Sequence, residues 1–123
     1  MLDDNPIYTD AAAAREAGFD GIPAPLTFSV IADHWQDRDP TELLEQQLGV
    51  DVARLLHGEA SWEYLAPVLV DDELTAVRRL VDVRTVHGRR GGEMRIFTIE
   101  TEVTNQRGKV VMCQRDELIE TGA

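Results

Sequence analysis

The fold of this chain is constrained most by four successive segments, residues 55–65, 73–87, 93–104 and 109–120, rich in Val, Ile, Thr and aromatic side chains and separated by short breaks. Partial period-2 alternation runs through them, as in Val77, Arg79, Val81, Val83 and Phe97, Ile99, Thr101, Val103, which is the spacing of a half-buried β-strand. The breaks are turn-like. Residues 87–92 hold three glycines, and Asn105-Gln106-Arg107-Gly108 suits a tight hairpin in which Gly108 supplies the positive φ. A long antiparallel meander is therefore predicted.

The residues before the meander read as helical. Ala11–Ala14 is an alanine run that Thr9 or Asp10 can cap and Gly18 can end, so a short helix is predicted over residues 10–17. A rigid loop with Pro23 and Pro25 follows. Pro25 suits the first turn of a second helix over residues 25–37, where a missing N–H costs nothing. Leu26, Phe28, Val30, Ile31, Ala32 and Trp35 make that helix apolar around much of its circumference, so a buried core helix is expected, with Leu26 and Phe28 between helix and sheet. Residues 38–53 predict a short helix or loop around Leu43, Leu44, Leu48 and Val52. An apolar helix followed by an antiparallel meander is an α+β arrangement with the sheet wrapped around the helix.

Composition excludes several classes. With 123 residues, 43% hydrophobic and 28% charged, the chain has the make-up of one globular domain over residues 1–123. No window approaches the ~18 consecutive apolar residues of a membrane span, and the start has no basic, apolar leader. The single Cys113 allows no internal disulfide, reads as a small buried residue and agrees with a reducing, cytoplasmic location. No metal-ligand spacing is present. The net charge of −11 is uneven: residues 1–75 hold 16 Asp/Glu against 3 Lys/Arg, and the remainder 7 against 9. Nucleic-acid binding is disfavoured, since it needs a net basic face. Arg78, Arg79, Arg84, Arg89 and Arg90 cluster on and around one predicted hairpin, where they are either solvated or offer a small anionic site, with Arg89 and Arg90 as its candidates.

The segment Asp3-Asp4-Asn5-Pro6-Ile7-Tyr8-Thr9-Asp10, then Ala14, Gly18-Phe19 and Ala24-Pro25-Leu26-Thr27-Phe28, resembles the MaoC-like hot-dog hydratases and dehydratases. Catalytic members read D-x-N-P-[IL]-H-x-D, then A-x-x-x-G-[FY], then H-G-[ML] at the opening of the central helix. Asp3, Asn5, Pro6, Ile7, Asp10, Ala14, Gly18 and Phe19 match, whereas Tyr8 stands at the histidine position and Ala24-Pro25-Leu26 replaces H-G-[ML]. That variant is similar to the N-terminal MaoC dehydratase subfamily, which includes the non-catalytic subunit of a (3R)-hydroxyacyl-thioester dehydratase. Trp62–Leu74 resembles the family's F-x-x-P-[IV]-x-x-G-D-x-L turn with Asp71 for the glycine, and Val103–Val111 resembles its final hairpin. Family domains begin with a strand and helix before D-x-N-P. This chain starts two residues before Asp3, so a sheet lacking its usual first strand, and an edge that another chain covers, are expected.

The resemblance implies a chemistry. Adding water across an enoyl thioester needs a group that polarises the carbonyl and a base that activates water, and the reverse needs an acid for the leaving hydroxyl. In the family an Asp and a His do this, with a helix-terminal N–H on the carbonyl oxygen. Carried onto this chain, Asp3 and Tyr8 take the catalytic positions, and Asn5, Ala24, Pro25 and Leu26 the substrate-binding ones. A phenol is ordinarily a poor base near neutrality, and Pro25 has no N–H to donate. The expected role is the non-catalytic or weakly catalytic, acyl-binding subunit of an (R)-specific enoyl-thioester hydratase or 3-hydroxyacyl-thioester dehydratase, as a homodimer or as a heterodimer with a catalytic MaoC-like chain. No cofactor is implied, and the substrate is an acyl-CoA or acyl-carrier thioester, CoA being favoured by the acidic N-terminal half. The rivals are an acyl-CoA thioesterase and an acyl-thioester binding module without chemistry. From the residues alone, Asp3, Asn5 and Asp10 equally suit turn caps, Tyr8 a packing aromatic, His34 a core or interface position, and His57 and His87 strand ends or loops. Asp33 and His34 make a poor acid–base pair, because adjacent side chains on a helix diverge by about 100°.

Overall fold

The computed structural model describes residues 4–29, 39–90 and 92–122. Asn5 opens a 3-10 turn over Pro6–Tyr8, its Oδ1 accepting the Ile7 N–H at 3.2 Å. Asp10 then caps helix α1 (Ala11–Glu16) through the Ala12 N–H at 2.9 Å. The helix ends at Gly18, φ 98°, where the Phe19 N–H reaches back to the Ala14 carbonyl at 2.9 Å, so the glycine is required by a left-handed cap. Helix α2 (Pro40–Leu48) is capped by Asp39 and ended by Gly49 at φ 65°, and a second 3-10 turn, Val52–Arg54, leads into the sheet.

The predicted second helix is corrected at its start. Helical residues begin at Phe28 and Ser29, and Pro25 lies ahead of them in a turn closed by the Phe28 N–H on its carbonyl at 3.0 Å. The rest of that helix, with Asp33, His34 and Trp35, lies outside the described residues, as does Asp3.

Strands β1 (Leu55–Tyr64), β2 (Thr75–His87), β3 (Glu93–Thr104) and β4 (Val110–Glu120) form one antiparallel sheet in the order β1-β4-β3-β2. The predicted segments thus fall on strands within a residue or two at each end. The β3–β4 hairpin turns on Asn105, whose Oδ1 accepts from the Arg107 and Lys109 N–H groups, with Gly108 at φ 74°. Each ladder carries an irregularity: Gly58 in β1 and Val81 in β2 are extra residues against their partners, and Val111 is the extra residue of β4.

Alternation gives the sheet two faces. Phe97, Ile99, Thr101 and Val103 are all buried on one. Val68, Val103, Val111 and Met112 form a compact apolar cluster there, with Ala24, Phe28 and Ala66 packed against it. On the other face Glu100 and Arg115 meet at 3.8 Å, and Arg84 meets Glu117 at 3.3 Å. Both outer strands present apolar side chains to solvent, Leu56, Trp62 and Tyr64 on β1 and Val77, Leu80, Val81 and Val83 on β2. Among the described residues no helix is long and apolar enough to cross a membrane.

Far from the hairpin turn, Glu120 ties the sheet to the segment before β1. Its buried carboxylate accepts the Asp51 N–H at 2.6 Å and two N–H groups of Arg95, whose guanidinium also lies 5.3 Å from the Phe97 ring. The Asp51 N–H and then the Arg95 hydrogen bond hold the Glu120 pKa below its usual value.

Candidate functional site

The resemblance to D-x-N-P is resolved locally into caps and one pocket wall. Because Asn5 and Asp10 cap successive turns, the chain between them curls tightly and brings Ile7 and Tyr8 into the wall of a cavity of about 420 Å³. The other walls are Phe19, the loop Pro23–Leu26 with Phe28, the strand end Tyr64–Val68 and Val111 of the β4 bulge. The lining is predominantly aliphatic and aromatic. Among the described residues its side-chain polar groups are the two phenol hydroxyls, of Tyr8 and Tyr64.

The loop is set against the sheet by a short antiparallel bridge between Pro23 and Leu69. The Ala24 N–H donates to the Val68 carbonyl at 2.7 Å and the Val70 N–H to the Ile22 carbonyl at 2.8 Å. Beyond the bridge the Tyr64 hydroxyl donates to the Leu26 carbonyl at 2.8 Å. Next in the chain comes the turn that the sequence matched with Asp71 in place of glycine. Asp71 has φ 72°, the one positive φ of a non-glycine residue among those described, in the left-handed region where glycine is unstrained. Asp72 stabilises the same turn: it accepts the Leu69 N–H and the Gln106 side-chain amide, each at 2.9 Å, and these bonds, led by the Leu69 one, lower its pKa.

Of the sequence candidates, Tyr8, Ala24, Pro25 and Leu26 meet at this cavity. Asn5 does not line it and is occupied as a cap. Leu26 is 62% exposed at the rim rather than packed between helix and sheet, because the turn that starts at Pro25 swings it outward; Phe28 does pack against the core. The arginine cluster does not converge. Arg78 and Arg79 are consecutive on β2 and point to opposite faces, and Arg84 is paired with Glu117. Arg89 and Arg90 sit in the β2–β3 turn, at the end of β3 opposite to Val103 and the cavity, about nine strand residues or roughly 30 Å away. They form no part of its wall.

Two sites were not signalled by sequence. Tyr64 lies inside a stretch matched to the family turn, but only the fold shows its hydroxyl on Leu26. The other is a charged cleft of about 440 Å³ beside Arg79, Glu100, Glu102, Cys113 and Arg115. Cys113 is half-buried rather than buried, between Glu63 and Glu102, and desolvation followed by Glu102 raises its thiol pKa, which suits an unreactive cysteine.

Comparison with known proteins agrees with this geometry. The model of the FAS1-like dehydratase domain region matches residues 1–114. The UPF0336 protein of Streptomyces coelicolor is 31% identical over 121 residues, covering 98% of this chain and 76% of its own length. That of Thermobifida fusca is 29% identical over 122 residues, covering 99% and 76%. Among solved structures, the truncated HadBC (3R-hydroxyacyl-ACP dehydratase) complex of Mycobacterium tuberculosis matches with TM-score 0.66 and 27% identity over 94% of this chain and 76% of that one. A MaoC-like dehydratase matches with TM-score 0.74 and 26% identity over 98% of this chain and 34% of the other. The ChsH1-ChsH2 complex of the same mycobacterium shares the fold, with TM-score 0.73 and 22% identity over 96% and 70%. The short opening helix, the loop bridged to the strand end, the four-stranded antiparallel sheet and these matches together make the chain a hot-dog protein that belongs to the FAS1-like dehydratase family.

Proposed function

We propose that this chain is the acyl-binding, non-catalytic or weakly catalytic subunit of an (R)-specific enoyl-thioester hydratase or 3-hydroxyacyl-thioester dehydratase, paired with a MaoC-like chain that supplies the catalytic histidine. One observation carries this reading: Tyr8, at the histidine position of the family pattern, stands in the wall of a cavity whose described lining is apolar apart from Tyr8 and Tyr64. A neutral phenol can donate a hydrogen bond to a thioester carbonyl, but it is a weak base for activating water near neutrality. The aliphatic lining fits an acyl chain, and among the described residues its only other polar side chain is the Tyr64 phenol. Pro25, lacking an N–H, removes one backbone donor from the loop where the family places its carbonyl contact.

Support for a partner comes from the HadBC relative, which is a complex. The unpartnered apolar edges of β1 and β2 agree with a second chain. The thioester is that of CoA or of a carrier protein: the arginines expected to receive the CoA phosphates lie away from the cavity, and an acidic surface repels either anionic carrier.

The test is crotonyl-CoA hydration by the chain alone, by its Tyr8→His variant, and by the chain mixed with a candidate D-x-N-P-x-H partner. The expected result is negligible activity alone, a gain with Tyr8→His, and full activity in the mixture. Full activity of the unmixed wild type, with nothing added by Tyr8→His, refutes the subunit role. Release of free thiol instead of hydration would identify a thioesterase.

A further inference from the structure

We propose that Tyr64 is the latch of the apolar cavity: its hydroxyl holds the Leu26 carbonyl, keeps the Pro25–Phe28 turn drawn across the mouth, and must let go for an acyl chain to enter. The proposal rests on the acyl-binding reading of the cavity and names the residue that controls access to it.

The two sides of the mouth are held very differently. Tyr64 is the last residue of β1 and is paired with Met112 of β4, and the next two N–H groups, of Leu65 and Ala66, both donate to the Val111 carbonyl at 2.9 and 3.3 Å. The sheet side is therefore a fixed post. On the loop side the backbone ladder stops at the Ala24 N–H. Pro25 has no N–H, and the Phe28 N–H is used inside the turn, on the Pro25 carbonyl. Among the described residues, the bond from Tyr64 is then the one hydrogen bond from this turn to the sheet.

Its position makes it reversible. Leu26 is 62% exposed and Tyr64 41% exposed, so water competes for both groups, and opening the bond leaves neither of them buried and unsatisfied. Phe28, packed against the core cluster, and the Pro23–Leu69 bridge mark the two points between which the turn swings. An access residue of this kind acts through Leu26 and touches the entering chain only with its ring, which makes Tyr64 a positioning residue.

Tyr64→Phe removes the hydroxyl and retains the ring. In the free protein, amide hydrogen exchange at Ala24 and Phe28 is expected to quicken about fivefold, the weight of one ordinary hydrogen bond, with β3 and β4 amides unchanged. Identical exchange in the two proteins overturns the latch. In stopped-flow binding of a decanoyl-CoA carrying a terminal pyrene, association and dissociation are both expected to rise about fivefold, with Kd within twofold. A change in Kd or in melting temperature without parallel changes in both rates marks a merely structural tyrosine and also overturns the proposal. If the wild type binds no probe, the acyl-binding reading fails, and the exchange measurement still decides whether Tyr64 holds the turn.

Discussion

At the scale of single residues, the backbone and its caps decide more than the side chains that first draw attention. Asp71 occupies a left-handed position where a β-branched residue is strained and glycine is not. Asp71→Gly is expected to leave stability unchanged or raise it slightly, and Asp71→Val to lower it by about 1–2 kcal/mol, read as urea midpoints at constant slope. Leu26 and Phe28, neighbours in the same loop, should separate cleanly. Leu26→Ala is expected within about 0.5 kcal/mol of wild type, since the side chain is exposed, while Phe28→Ala should cost about 2–3 kcal/mol through loss of packing on Val103, Val111 and Met112. Equal losses from the two would contradict the observed turn at Pro25. Glu120 is the residue through which acid acts. Its folded pKa lies below the ordinary value of 4.5, so its stabilising contribution is present above that value and is lost as pH falls through the folded one. Melting temperatures should therefore fall below about pH 4.5 in the wild type and fall less steeply in Glu120→Gln, which is itself less stable by about 1–3 kcal/mol at pH 7.

Elements show how far sequence carries and where it stops. Strand limits, the Asn105–Gly108 turn, the Asp10 cap and the Gly18 stop all follow from local chemistry: alternation, turn formers and a residue with a short side-chain acceptor. The arginines of β2 defeated the same approach, because clustering in sequence is undone by the pleat, which sends Arg78 and Arg79 to opposite faces. Glu120 to Asp51, and Tyr64 to Leu26, are 69 and 38 residues apart. Such contacts depend on register, and register here includes extra residues at Gly58, Val81 and Val111 that no alternation pattern announces. Gly58 offers a direct check. A Cβ there would come within 2.8 Å of the Ile119 Cδ1 and 3.2 Å of the Glu117 carbonyl oxygen, so Gly58→Ala should cost about 1–3 kcal/mol, measured by thermal unfolding, and Gly92→Ala, where a Cβ meets nothing, much less.

For the molecule as a whole, the sheet has apolar side chains on both of its outer strands, and a soluble monomer rarely leaves that much uncovered. A dimer mass in light scattering at micromolar concentration is expected, alone or with the catalytic partner, and a sharp monomer mass under both conditions would contradict it. The cavity and the Glu120 clamp lie toward opposite ends of the strands, so acid below about pH 4.5 should slacken the clamp before it alters binding of the pyrene probe.

The strand order β1-β4-β3-β2 also sets a timetable for folding during synthesis. The two central strands are the last to be translated, and the two outer ones are made before either has a neighbour to pair with. β2 pairs with β3 across the short turn between them as soon as β3 is made, whereas β1 waits for β4 and docks across a longer loop. Until then Leu56 and Trp62 travel on unpaired chain, the condition under which nascent strands associate with one another or are held by chaperones.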